Sequence, residues 1–187
     1  MTTEQTAGTP ASQETSFGAY VSDPAVGNLT MGGSDWDGTP QIAGAHLVYH
    51  ALADRTNGQV MVAEVTFPSG QRPWFHTHHR EDEGFYVIEG QLTVTVIDEQ
   101  GERHVFVVNE GELVWAPRGY AHSYHVTSDT PARTIIVTTP GNTLPEYFPR
   151  HQNLELDPTD EQAVAAFAEE SSRLYGLEFH PEIPLDA

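Results

Sequence analysis

Three side chains within residues 74–90, WFHTHHREDEGFYVIEG, have the types and spacing of metal ligands. His76 and His78 share a face if this segment is extended, because successive side chains of a strand alternate between its two faces. The charged residues 79–82 then turn the chain, so that Glu83 opens the second strand of a hairpin and returns a carboxylate to the imidazole pair. The segment therefore predicts three nitrogen and oxygen ligands and leaves room for a fourth.

A second informative segment, GELVWAPRGYAHSYHV at residues 111–126, contains a tight-turn signal, Pro117 and Gly119, just before His122. Together the two segments resemble the two motifs of the cupin superfamily. Nine of the ten motif positions agree, and the tenth, usually an asparagine, is Val126 here. The matching positions are Gly70, His76, His78, Glu83 and Gly90 in the first motif, and Gly111, Pro117, Gly119 and His122 in the second.

The cupin resemblance implies both a fold and a ligand set. The fold is all-β, a double-sheet jelly-roll barrel that can enclose one small ligand. Gly90 selects Glu83 over the neighbouring Glu81 and Asp82 as the carboxylate ligand, because only Glu83 has the motif's spacing to that glycine. The implied metal ligands are His76, His78, Glu83 and His122.

The strand pattern agrees with a sandwich or barrel, since residues 42–140 contain about eight or nine short apolar runs with turns every 8–12 residues. This cupin barrel is preceded by a disordered tail at 1–16 and by an N-terminal arm at 17–41 with a short edge strand. A C-terminal helical extension occupies 141–187.

The clearest helix is predicted at Pro158–Tyr175, capped by Asp157 or Thr159 and ended by Gly176. Two interpretations of this extension stay open. The helix either covers one surface of the barrel, or belongs to a lid that brings aromatic rings to a substrate. The rings in question are Tyr147, Phe148 and Phe179.

Composition excludes several classes of function. The chain has 27 acidic residues against 8 basic ones, all arginines, and a formal net charge of −19. Such a surface repels nucleic acid and anionic membranes and disfavours phosphorylated substrates. The absence of cysteine excludes disulfides and thiolate metal sites. The N-terminus has no signal-peptide pattern and no apolar run reaches membrane-span length, so we expect a cytoplasmic protein.

Around the ligand positions, the sequence suggests an aromatic pocket. The side chains of Trp74, Phe85, Tyr120 and Tyr124 fall on the same strand faces as the ligands, where they either sandwich a flat ligand or simply fill the barrel. Arg72 lies near the predicted rim and is a candidate for orienting an anionic oxygen.

At a finer level the chain resembles the bacterial single-cupin quercetinases, through the block HTHHREDEGFYVIEG, the chain length and the aromatic C-terminal helix. The resemblance implies a dioxygenase that opens the C-ring of a flavonol with O2 and releases carbon monoxide. It implies one divalent metal per chain (nickel, cobalt, manganese or iron, with nickel favoured), a small aromatic substrate and a homodimer. Glu83 would act as general base on the flavonol 3-hydroxyl.

Two alternatives remain open at this point. One is another metal-dependent small-molecule oxygenase of the cupin type. The other is a cupin that binds a ligand without catalysis.

Overall fold

The computed structural model describes residues 11–16, 20–22, 28–31, 44–154 and 156–185. Short strands dominate it. The strands are β1 (Ala11–Glu14), β2 (Tyr20–Ser22), β3 (Asn28–Thr30), β4 (His46–Ala51), β5 (Met61–Phe67), β6 (Phe75–His78), β7 (Asp82–Glu89), β8 (Leu92–Ile97), β9 (Arg103–Val108), β10 (Leu113–Ala116), β11 (Ala121–Val126), β12 (Ala132–Thr139) and β13 (Leu177–His180). The helices are α1 (Ala53–Thr56), α2 (Leu144–His151) and α3 (Glu161–Tyr175).

Two antiparallel sheets form the domain. One has six strands in the order β10-β7-β12-β5-β4-β3, and the other has five in the order β13-β6-β11-β8-β9. A separate pair joins β1 to β2. This is the predicted all-β, double-sheet jelly-roll architecture followed by a C-terminal helix, so the fold prediction is confirmed. None of the described helices combines the length and the apolar character needed to cross a membrane.

The core lies between the sheets, because each strand alternates its side chains between an inner and an outer face. In β5 buried and partly exposed residues alternate without interruption from Met61 to Phe67. Phe67 and Phe85 are each 1% exposed and face the same interior as the predicted ligands. The predicted metal ligands are therefore set in an apolar core rather than on a surface.

One connection differs from the sequence-based expectation. Strands β6 and β7 do not pair as a hairpin, because they belong to different sheets. The short turn at residues 79–81 carries the chain from one sheet to the other. His79 N donates to Gly176 O at 2.9 Å, and Arg80 Nη1 donates to Leu174 O at 2.6 Å, so the turn is held against the end of α3.

The N-terminal region also differs in part from the prediction. Residues 11–14, placed in the disordered tail by composition, pair as β1 with β2. Backbone hydrogen bonds need no apolar side chains, which is why composition did not reveal this strand. The predicted edge strand is present as β3, at the edge of the six-stranded sheet. Residues 1–10 and most of the arm lie outside the described residues.

The C-terminal extension contains two helices and a strand that was not predicted. Helix α3 begins at Glu161, later than expected, because Asp160 rather than Asp157 or Thr159 caps it by accepting from the backbone of Gln162 and Ala163. It ends at Gly176, as predicted, in the left-handed conformation. The chain then forms β13, which joins the five-stranded sheet beside β6.

Gly90, between β7 and β8, gives a test of how closely the chain packs against residues 128–132. Its φ is +83°, and an added Cβ would lie 2.9 Å from Ser128 Oγ and 3.0 Å from Ala132 Cα. We expect Gly90→Ala to lower the free energy of unfolding by about 2–5 kcal/mol, because left-handed backbone and overpacking both penalise alanine. Urea denaturation measures the change.

Gly101→Ala is the matched control. Its φ is +79° but no atom lies within 4 Å of the added Cβ, so only the backbone penalty applies. Equal losses of stability in the two variants would contradict the packing argument.

Candidate metal centre

The pairing of β6 with β11 brings the first two candidate ligands together. His122 is the direct cross-strand partner of His76, and His78 lies two residues further along the same face. The ring centroids are 4.6 Å apart for His76 and His122, and 5.3 Å apart for His78 and His122. Three imidazoles from two neighbouring strands thus surround one point between the sheets.

Glu83 approaches this point from the opposite sheet. Its strand, β7, is paired with β10 and β12. The carboxylate oxygen Oε2 lies 3.2 Å from His122 Nε2 and 3.4 Å from His78 Nε2. Glu83 is 5% exposed and His122 is 1% exposed, so these two side chains face each other in the protein interior.

Backbone contacts turn the imidazoles toward the centre. His76 Nδ1 is 3.0 Å from Trp74 O, and His122 Nδ1 is 3.2 Å from Tyr120 O. A carbonyl oxygen only accepts hydrogen bonds, so Nδ1 is the donor in both residues. In the neutral tautomer this leaves the lone pair on Nε2, which is the form that binds a metal.

Burial and mutual proximity shift the pKa values of the groups in this centre. Burial, with the neighbouring His122 and His78, holds the pKa of His76 well below its usual value, so this ring is neutral. Burial by itself would raise the pKa of Glu83, but the charge of His78, with the hydrogen bond and charge of His122, outweighs it and lowers that pKa. For His78, burial lowers the pKa, while Glu83 and Glu81 more than compensate and raise it.

The donor set fits a divalent transition metal. The ligand atoms of His76, His78, Glu83 and His122 all lie within 4.8 Å of one another. Nitrogen and oxygen ligands of this kind suit iron, manganese, cobalt, nickel, copper or zinc, and four of them leave positions free on a six-coordinate ion.

The described residues contain a second histidine–carboxylate group, formed by Asp98, Glu102 and His104. Its contacts are those of a surface turn. Asp98 Oδ2 pairs with His104 Nε2 at 2.7 Å, while Asp98 Oδ1 accepts from the backbone of Gln100 and Glu102. This group satisfies itself without an ion.

A cavity that is partly open to solvent adjoins the candidate ligands. Its wall is largely apolar and aromatic, and comes from both sheets and from the C-terminal extension. The lining residues are Phe67, Pro73, His76, His78, Glu83, Phe85, Tyr124, Ile136, Leu144, Tyr147, Phe148, Leu177 and Phe179.

The structure separates the predicted substrate-binding residues into two groups. Phe85 and Tyr124 line the cavity. Trp74 packs against the core but does not line the cavity. Tyr120 does not line the cavity either, and its hydroxyl lies 3.4 Å from Glu99 Oε1. Arg72 donates to the carbonyl of Leu185 and borders a different, smaller pocket.

The C-terminal extension supplies part of the cavity wall, which is compatible with both interpretations of it. Tyr147 and Phe148 come from α2, and Phe179 comes from β13, where it is the cross-strand partner of His76. Helix α3 packs behind this wall, with the ring centroid of Phe167 5.2 Å from that of Phe179. The sequence pointed to these aromatics but not to Leu177, because its strand was not recognised.

Comparison with known proteins agrees with the fold. Residues 63–138 match the Cupin_2 family model, a cupin domain. Germin-like protein subfamily 2 member 2 of Arabidopsis thaliana is 31% identical over 120 residues, 64% of this chain and 50% of that protein. Quercetin 2,3-dioxygenase of Bacillus subtilis (strain 168) is 31% identical over 78 residues, 42% of this chain and 22% of that protein.

A solved oxalate oxidase structure is 23% identical, with a TM-score of 0.48, and the match covers 60% of this chain and 57% of that one. The chain spans about half the length of the germin-like relative and less than a quarter of the length of the quercetin dioxygenase. Residues 63–138 are thus similar to a cupin domain, and the histidine–glutamate group between the two facing sheets is a candidate metal centre.

Proposed function

We propose that this protein is a metal-dependent dioxygenase that opens the C-ring of a quercetin-like flavonol with O2 and releases carbon monoxide. The observation that carries the proposal is the largely aromatic cavity that is lined by His76, His78 and Glu83 of the candidate metal group. The match to a quercetin 2,3-dioxygenase over 78 residues supports it. The proposed metal ligands are His76, His78, Glu83 and His122.

The cavity suits a flat, neutral substrate. Phe85, Tyr124 and Phe179 contribute rings to its wall, and uncharged aromatic ligands pack well against such walls. Among the described residues that line it there is no arginine, so a small dianion would find no fixed cation there apart from a bound metal.

Glu83 is the proposed general base. A bound divalent metal supplies a Lewis acid that lowers the pKa of a coordinated hydroxyl. Glu83 Oε2 faces the imidazoles of His78 and His122, which leaves Oε1 to accept the proton of the flavonol 3-hydroxyl. The lowered pKa of Glu83, set by these two histidines against its burial, keeps the carboxylate ionised and ready to accept.

The remaining residues of the cavity position the substrate and exclude water. Holding the flavonol anion and O2 side by side accounts for much of the acceleration in such a reaction. The reaction needs no external reductant, since one flavonol and one O2 give one ring-opened ester and one carbon monoxide. Nickel as the native metal, the homodimer and the cytoplasmic location stay predictions.

Metal content tests the first part of the proposal. After cobalt loading and gel filtration, the protein is expected to retain one equivalent of metal per chain by elemental analysis. His122→Ala removes a proposed ligand and should weaken cobalt binding by more than about 10–100-fold. That range is the typical loss when only a hydrogen-bond partner of a ligand is removed. His104→Ala, in the surface group, should bind as the wild type does. Equal binding by both variants would refute the assignment of the centre.

Turnover tests the second part. Metal-loaded protein incubated with quercetin in air should bleach the near-visible absorbance of the substrate and release an equivalent of carbon monoxide. Glu83→Gln should lower the rate by about 10²–10⁴-fold while much of the metal stays bound, because the amide cannot accept the proton. Glu89→Gln, an exposed carboxylate on the same strand, is the control. An active Glu83→Gln protein would remove Glu83 from this role.

The aromatic wall gives a third test. Phe179→Leu removes a ring that lines the cavity 5.8 Å from the His76 ring, and should raise KM for quercetin by about two- to tenfold with a smaller effect on kcat. Phe106→Leu, on the exposed side of β9, is the matched control. An unchanged KM in Phe179→Leu would argue against substrate contact at this wall.

A further inference from the structure

The three candidate histidine ligands do not share the same outer contacts. His76 and His122 each direct Nδ1 to a backbone carbonyl, at 3.0 and 3.2 Å. His78 Nδ1 has no carbonyl partner and makes no hydrogen bond to any described residue. It lies instead 3.5 Å from Oε1 of Glu81.

Glu81 is as unusual as the nitrogen it faces. It is 1% exposed, and neither of its carboxylate oxygens has a hydrogen-bond partner among the described residues. A buried carboxylate without a donor is strongly disfavoured, and so is a buried imidazole N–H without an acceptor. One contact between these two groups satisfies both, once the pair closes to about 2.8 Å, the usual length of a charge-assisted hydrogen bond.

The local chain directs Glu81 to this place. The turn at residues 79–81 is anchored on the end of α3 through His79 and Arg80, as described above. The following residue, Asp82, points outward and binds the Arg118 guanidinium at 2.9–3.0 Å. The pKa of Arg118 is raised chiefly by its hydrogen bond with Asp82, and also by the charges of Asp82 and Glu81. The Arg118 cation therefore also lies within electrostatic reach of Glu81.

We propose that Glu81 is a positioning residue for the metal centre, which accepts a hydrogen bond from Nδ1–H of His78. This contact holds the imidazole in the tautomer whose Nε2 faces Glu83 and the other two rings, and it strengthens Nε2 as a donor. The inference rests on the proposed metal centre. It assigns a separate function to each of three successive acids: Glu81 orients a ligand, Asp82 holds Arg118, and Glu83 is itself a ligand.

Histidine nitrogen NMR on the wild-type protein gives the first test. With ¹⁵N-labelled histidine and zinc bound, the His78 ring is expected to show a protonated Nδ1 whose proton is shifted downfield of those of His76 and His122, because its acceptor is charged. A His78 ring protonated on Nε2 and bare at Nδ1 would overturn the inference. The same spectrum of the metal-free protein tests the hydrogen bond even if zinc does not bind. Failure of zinc to bind would count against the metal centre but not against the hydrogen bond.

Glu81→Gln gives the second test, because glutamine keeps the size of the side chain and removes its charge. The His78 Nδ1–H signal should move upfield, and zinc affinity measured by chelator competition should fall by about 10–100-fold. Glu89→Gln, on the outer face of the molecule, should leave both unchanged. Wild-type zinc affinity and an unmoved His78 signal in Glu81→Gln would overturn the inference. Should that variant fail to fold, the wild-type spectrum still decides.

Discussion

The register between β6 and β11 is the constraint on which the candidate centre depends. It places His76 opposite His122, and the two-residue period of a strand then brings His78 to the same face. A slip of β6 by one residue would turn His76 and His78 to the outer surface. The backbone contacts of Nδ1 to Trp74 O and Tyr120 O depend on the same pairing, so ligand position and tautomer are set together.

The second requirement is the crossing of the chain between the sheets. A hairpin would have kept Glu83 in the same sheet as the histidines, beside them. The turn at residues 79–81 instead sends β7 into the facing sheet, so the carboxylate meets the imidazoles across the core. The same turn leaves Glu81 buried behind His78. This short connection thus positions Glu83 as a candidate ligand and Glu81 as a candidate partner of His78.

The C-terminal extension completes the surroundings of the centre. In β13, Leu177 is the partner of His78 and Phe179 the partner of His76, so apolar side chains stand directly beside two of the imidazoles. Helix α2 adds Tyr147 and Phe148 to the same wall. Burial beside Glu83 raises the pKa of the Tyr124 phenol well above its usual value, which keeps this cavity residue neutral. The walls of the cavity are largely apolar, which strengthens electrostatic interactions inside it.

The sequence by itself determined the ligand types, their spacing and the strand pattern, because these follow from the period of a strand and from glycines and prolines at turns. It predicted eight or nine short strands between residues 42 and 140, where the structure has the nine strands β4 to β12. It also named the aromatics Phe85, Tyr124, Tyr147, Phe148 and Phe179 that line the cavity.

Only the tertiary structure decided which elements face one another. It put β6 and β7 in different sheets, added β13 beside β6, and left Trp74, Tyr120 and Arg72 outside the cavity wall. Glu81 appeared in the sequence as one more charged residue of a turn, and its burial against His78 depends on contacts with α3, almost a hundred residues away. Strand periodicity fixes the face on which a side chain lies, but pairing between distant segments determines what that face meets.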